Sequence, residues 1–196
     1  AVNLIPTKVF NFFPNLKSFY VNRTSLTNLV PDAFNNCPVL DNIVIEQNNF
    51  PEVPAGFAQN CHQVTQLRFL QNNIQRIHQD AFVGLTALYY INFESNAIKC
   101  IPDGLFQYSP SIKYINLGYN QITQLDPNMF AGLPNLGGYE LQFNQISYVP
   151  IFNFTGKAMV TDMSFDVQAY IGLMFNPIMN IHPQLFSSTF QAVNGQ

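Results

Sequence analysis

The sequence predicts an α/β solenoid, a right-handed coil of 24-residue turns with a curved parallel β-sheet on the concave face and a mostly irregular convex side. That expectation rests on two observations. Asparagine recurs at a fixed step, as Asn48, Asn72, Asn96, Asn120 and Asn144, with Thr24 at the same phase one step earlier. Apolar residues keep phase with it: Val64, Leu67 and Phe69 before Asn72 recur as Ile112, Ile115 and Leu117 before Asn120. Behind the two rungs, Ile74, Ile77, Phe82 and Leu85 recur as Ile122, Leu125, Phe130 and Leu133. A globular domain has no physical reason to repeat one environment at this step. Each turn of a solenoid buries its face on the next turn and so reproduces it.

The elements follow from that register. The first half of each turn alternates apolar and polar residues, the pattern of a short strand with one face inward. Seven parallel strands are expected, beginning near Leu16, Leu40, Val64, Leu88, Ile112, Leu136 and Gln168. Each asparagine carries both donors and an acceptor, so it can satisfy backbone groups where the chain leaves the strand. Thr24 can do only part of that. On the opposite side Phe10, Phe34, Phe82, Phe106, Phe130 and Phe154 keep the step, with Phe57 displaced by one residue. They predict a buried aromatic spine, which explains 19 Phe beside no Trp.

In this register residues 1–15 form a partial repeat, because Ile5 and Phe10 stand one step before Leu29 and Phe34. Residues 16–39, 40–63, 64–87, 88–111 and 112–135 are regular repeats, 136–167 is a long repeat, and 168–196 is the last. Gln168 stands where the next rung is due, and the pattern resumes late as Ile171, Leu173, Asn176, Ile178, Ile181 and Phe186. The favoured parse places an insertion within 155–167, TGKAMVTDMSFDV, extruded either as a binding loop or as a neutral bulge. The other parse puts a strand on Val160, Met163 and Phe165, with Gln168 as the rung. Ala1 in place of Met, in mid-repeat, predicts a processed or trimmed chain.

Written out, these residues read L-x-x-L-x-L-x-x-N-x-L-x-x-L-x-x-x-x-F-x-x-L, a pattern that resembles the leucine-rich repeat. The 24-residue step and the late phenylalanine are similar to the subtype typical of animal extracellular proteins and receptor ectodomains. The resemblance spans nearly all 196 residues. It implies a non-enzymatic module, secreted or part of an ectodomain, that binds a protein or microbial ligand on its concave face, as in innate immunity. Such ectodomains usually seal both core ends with cysteine-rich caps, a pattern missing between residues 1 and 196. A piece of a longer protein and ends covered by something else both remain open. The alternative function is a structural or matrix protein that self-associates by stacking its uncapped ends.

Composition narrows the partners. Eight Lys plus Arg against eleven Asp plus Glu, with no basic run, exclude a nucleic-acid footprint. Charged residues make up 10% of the chain, against about 25% in ordinary soluble domains. So polar a surface with so little charge predicts association or a glycan coat. Asn22-Arg23-Thr24 and Asn153-Phe154-Thr155 are acceptor sequons for N-linked glycans. No apolar stretch approaches the roughly 20 residues that span a bilayer. Cys37 and Cys61 share one phase in adjacent turns, close enough for a bridge. The apolar Leu85 and Leu133 at that phase favour two buried thiols acting as small hydrophobes. Cys100 has no partner in phase, which predicts a free thiol or a link to another molecule.

Catalytic and metal signatures are missing. There is no C-x-x-C, H-E-x-x-H, G-x-S-x-G or G-x-x-x-x-G-K, and His62, His78 and His182 sit in different turns. No enzyme activity, cofactor or metal is expected. What remains is the outward face of the strands. Its central row is Tyr20, Val44, Arg68, Asn92, Asn116 and Glu140. One flank carries Ser18, Asn42, Gln66, Tyr90 and Tyr114, and the other Asn22, Glu46, Leu70, Glu94, Gly118 and Gln142. Tyr119, Phe143 and Phe175 lie next to the ladder. Aromatic side chains give contact area at low rotamer cost, so Tyr89, Tyr90, Tyr114, Tyr119 and Phe143 are the candidate ligand-binding residues. The competing explanation is ordinary β-propensity on a sheet surface.

Overall fold

The computed structural model describes residues 3–6, 9–153 and 170–183. Phe154, the insertion of 155–167 with Val160, Met163 and Phe165, Gln168 and Phe186 lie outside the described residues. A four-residue helix, α1 (Val9–Phe12), opens the chain. The strands follow as β1 (Ser18–Asn22), β2 (Asn42–Glu46), β3 (Glu52–Val53), β4 (Gln66–Arg68), β5 (Arg76–Ile77) and β6 (Tyr90–Asn92). They continue as β7 (Tyr114–Asn116), β8 (Gly138–Glu140), β9 (Tyr148–Val149), β10 (Tyr170–Gly172) and β11 (Asn180–Ile181).

Seven of them form one parallel sheet in the order β1-β2-β4-β6-β7-β8-β10, the expected solenoid face. Tyr90 pairs with Tyr114 and Tyr114 with Gly138. The last step is longer, because Tyr170 pairs with Gly138. The convex side is more ordered than the sequence suggests: β3 pairs with β5 and β9 with β11, both parallel. Val53 and Val149 each precede a proline, which pushes them into extended backbone. Arg76 also meets Glu52 across the first pair at 2.9 Å.

The asparagines use their amides alike. Asn72 is fully buried, and its Nδ2 donates to the carbonyls of Ile45 (2.6 Å) and Leu70 (2.9 Å). Asn176 repeats this in the last turn, donating to Leu141 O at 2.8 Å and accepting from Ile146 N at 3.0 Å. Thr24 Oγ1 donates to Asn48 Oδ1 at 2.6 Å. The residue before each rung turns the chain inward through a left-handed backbone: Arg23, Gln47, Gln71, Ser95, Tyr119, Phe143 and Phe175 have φ between 52° and 58°.

Two expectations about the core need correction. Phe10, Phe34, Phe57, Phe82, Phe106 and Phe130 are buried, but they do not form one continuous stack. Phe57 connects to Phe82 through strand-side rings, by way of Phe69 (5.7 Å), Phe93 (5.3 Å from Phe69) and then Phe82 (6.2 Å from Phe93). The one-residue displacement of Phe57 opens that space, and phenylalanine at the last strand-side position fills it. Cys37 and Cys61 are not two thiols but a disulfide, with Cα atoms 5.2 Å apart. Stacking of adjacent turns sets that spacing, which is inside the bridging range. Cys100 is exposed and free.

Candidate functional site

The strand face presents two aromatic columns at its opposite margins. In the first, Tyr90 and Tyr114 open β6 and β7 and stack with ring centroids 5.2 Å apart and planes 5° from parallel. The Arg68 guanidinium lies 5.4 Å from the Tyr90 ring centre. Tyr89 stands beside this column, its hydroxyl accepting from Gln66 Nε2 at 2.9 Å. In the second, Tyr119, Phe143 and Phe175 stack face to face, each pair 4.2 Å apart. These three hold the left-handed position before the rung. Tyr114 opens β7 and Tyr119 follows its end in left-handed backbone, so the columns stand at opposite ends of the strands.

The structure thus divides the five sequence-selected aromatics, Tyr89, Tyr90 and Tyr114 on one margin and Tyr119 and Phe143 on the other. Phe175, which the sequence places beside the ladder but not in the candidate set, completes the second column. Its phase after the long repeat was the available signal. The cation–π contact of Arg68 had no signal in spacing alone.

Between the columns lies a polar floor. Asn92 and Asn116 point outward but are only 7% and 5% exposed. Each Oδ1 accepts the backbone N–H two residues on, from Glu94 at 2.9 Å and from Gly118 at 2.8 Å, which folds the side chain flat on the sheet. Asn116 Nδ2 donates to Glu94 Oε2 at 3.1 Å, and Gln142 Nε2 donates to Glu140 Oε2 at 3.0 Å. At the first strand the face is different, with Tyr20 67% exposed; just before β2 and β4, Thr65 Oγ1 donates to Asp41 Oδ1.

Other sequence candidates are scattered. Asn22 is exposed at the end of the edge strand β1. Asn153 is exposed, with Nδ2 donating to Asn128 Oδ1 at 2.7 Å. His62 approaches Gly84 O at 2.9 Å while His78 accepts from Asp80 N at 3.1 Å, in different turns. Among the described residues no group of three His, Cys, Asp or Glu could hold a metal ion. No helix among them is long and apolar enough to cross a membrane. Among the described residues one buried side-chain group is unpaired: Tyr139, fully buried in β8, has no partner for its hydroxyl. Burial pushes its phenol far above the ordinary range.

Parallel strands stacked turn on turn over an asparagine ladder define a leucine-rich repeat solenoid. The profile of the BspA type leucine rich repeat region matches in six copies, over residues 3–137 and 52–166. The chain belongs to that family. No curated protein matches it. Among solved structures it is similar to the Toll–Spatzle complex of Drosophila, a molecular hub in development and innate immunity. That match has 20% identity and a TM-score of 0.81, covering 96% of this chain and 24% of the other. The glycosylated form of that complex matches with 19% identity and a TM-score of 0.77, over 91% of this chain and 24% of the other. The TLR13–ssRNA13 complex matches with 22% identity and a TM-score of 0.63, over 69% of this chain and 20% of the other. The chain therefore spans about a quarter or less of the structures it matches.

Proposed function

We propose that this chain is a non-enzymatic recognition module of an extracellular protein, secreted or part of a receptor ectodomain, that binds a protein ligand on its concave face. The observation that carries the reading is the pair of stacked aromatic columns. Tyr119, Phe143 and Phe175 expose 46%, 36% and 69% of their surfaces, although a solenoid face needs no aromatic there to fold. Exposed contiguous aromatic surface is the usual mark of an interaction site. The Cys37–Cys61 bridge supports an oxidising compartment, where disulfides persist. The same compartment would allow glycans on Asn22 and Asn153. The similar Toll and TLR13 structures are ligand complexes, which agrees with a binding role.

The test is capture on the immobilised chain from extracellular fluid, with variants as the readout. Tyr114→Ala and Tyr119→Ala should each lose the captured partner. Tyr108→Ala, in the return segment of its turn, should keep it. Retention by both concave-face variants of every partner found would remove the reading. A second reading, self-association, is favoured by one observation: Leu4, Ile5, Phe19, Val21 and Leu26 line an open apolar cavity of about 400 Å³ at the first turn. Light scattering after size exclusion decides it, since a concentration-independent monomer excludes assembly through that end.

A further inference from the structure

We infer that the concave face between residues 114 and 175 takes an arginine-bearing cationic segment of its protein partner; this rests on the recognition reading above and specifies the ligand class. The position before each rung is polar through four turns, as Arg23, Gln47, Gln71 and Ser95, and aromatic in the next three, as Tyr119, Phe143 and Phe175. All seven hold left-handed backbone, which a bulky side chain adopts at a cost. An aromatic therefore gains nothing for the backbone there.

Beside this strip the strand face loses its side chains. Gly118 and Gly172 occupy outward positions that hold Glu94 and Glu140 in the turn before, and Gly138 follows Tyr114 in the row of the opposite margin. The space above Gly118 is taken by the Gln142 amide, whose Nε2 lies 2.8 Å from where a Cβ would stand. The result is a low strip of backbone and the Gln142 amide beside the aromatic rings.

The charge beside the aromatic strip selects its occupant. Glu94 and Glu140 stand on the floor, each oriented by a side-chain amide, from Asn116 and Gln142. Asn116 is a neutral amide, so it aligns the Glu94 carboxylate but leaves its charge in place. In these rows the acids are Glu46, Glu94 and Glu140, and the cations Arg23 and Arg68 lie in earlier turns than the aromatic strip, on a chain of net charge −3. An acidic segment would be repelled, and a purely apolar one would desolvate the carboxylates without pairing them. A guanidinium satisfies both features: its plane stacks on an aromatic ring while its fork of donors reaches a carboxylate. The molecule already makes the stacking half of this contact, with Arg68 over Tyr90.

Fluorescence anisotropy with three synthetic peptides tests this on the complete chain: one alternating arginine with glycine, one lysine with glycine, one glutamate with glycine. The arginine peptide should bind about tenfold more tightly than the lysine peptide, because lysine lacks the stacking plane. Glu94→Gln and Phe143→Asn should each weaken it by about fivefold or more. Asparagine is chosen at 143 because it tolerates left-handed backbone, so thermal melting of that variant should be unchanged or raised while binding falls. Unchanged arginine-peptide binding in either variant overturns the inference, as does lysine binding equal to arginine or no binding of any peptide. Preferred binding of the glutamate peptide at this strip also overturns it, yet leaves the recognition reading standing. That reading fails separately, in the capture experiment, when Tyr114→Ala and Tyr119→Ala both retain every partner.

Discussion

Replacing Asn120 by alanine tests the ladder at a buried rung. The Asn120 amide donates to Phe93 O and Leu117 O at 3.0 Å and to Gly118 O at 3.1 Å, while Oδ1 accepts from Ile98 N at 3.0 Å. The three carbonyls have second donors, from Asn96 Nδ2, Asn144 Nδ2 and Ser95 N respectively. Alanine therefore strands one group, the N–H of the fully buried Ile98. A buried orphan donor costs about 1–3 kcal/mol, and three carbonyls reduced to one donor add roughly 1 kcal/mol together. The expected loss is about 3 kcal/mol, read as a lowered urea midpoint at unchanged slope by circular dichroism. Thr24→Ala is the internal control: it removes one exposed hydroxyl bond to Asn48, while Thr24 N still donates to Asn48 Oδ1. Its loss should stay under about 1 kcal/mol. Asn120→Asp, nearly the same shape, should be worse than alanine near neutral pH because a carboxylate oxygen then faces three carbonyl oxygens. A loss below about 1 kcal/mol for Asn120→Ala, or a larger one for Thr24→Ala, would refute the ladder's role in stability.

Three further outcomes follow from the core. Phe69 meets Phe50, Phe57 and Phe93, so Phe69→Ala should cost about 3–5 kcal/mol, and more than Phe106→Ala, whose ring stacks on Phe82; equal urea midpoints would contradict the aromatic path through the strand-side rings. The double replacement Cys37→Ala and Cys61→Ala opens a loop with a sequence separation of 24, which should lower stability by about 3 kcal/mol; an unchanged urea midpoint would show that the bridge does not constrain the unfolded chain. Tyr139→Phe removes a buried hydroxyl without a partner and should stabilise by about 1 kcal/mol. The folded pKa of Tyr139 is raised, so the wild type keeps full stability below the unfolded tyrosine pKa of about 10 and loses it as pH climbs beyond, where only the unfolded chain ionises. Thermal melts above that pH should fall less steeply for the phenylalanine variant, and parallel curves would overturn the assignment.

The sequence by itself determined the solenoid, the inward residues and the asparagine rungs. Those properties repeat with the chain: alternation places Leu67, Ile91 and Ile115 inward in every turn, and one amide solves the same bonding problem at Asn72, Asn120 and Asn176. Tertiary structure decided everything that depends on how one turn sits on the next. Periodicity reports which side a residue faces, but not whether Tyr119 meets Tyr114 or Phe143. The register of adjacent strands answered that, drawing Tyr119, Phe143 and Phe175 into one stack at 4.2 Å spacings and leaving Tyr90 and Tyr114 on the other margin. The same register set Cys37 beside Cys61, where a shared apolar phase had suggested two separate thiols. It also left Phe57 to reach Phe82 through Phe69 and Phe93, because a one-residue displacement, small along the chain, carries a ring out of line with its neighbours in space.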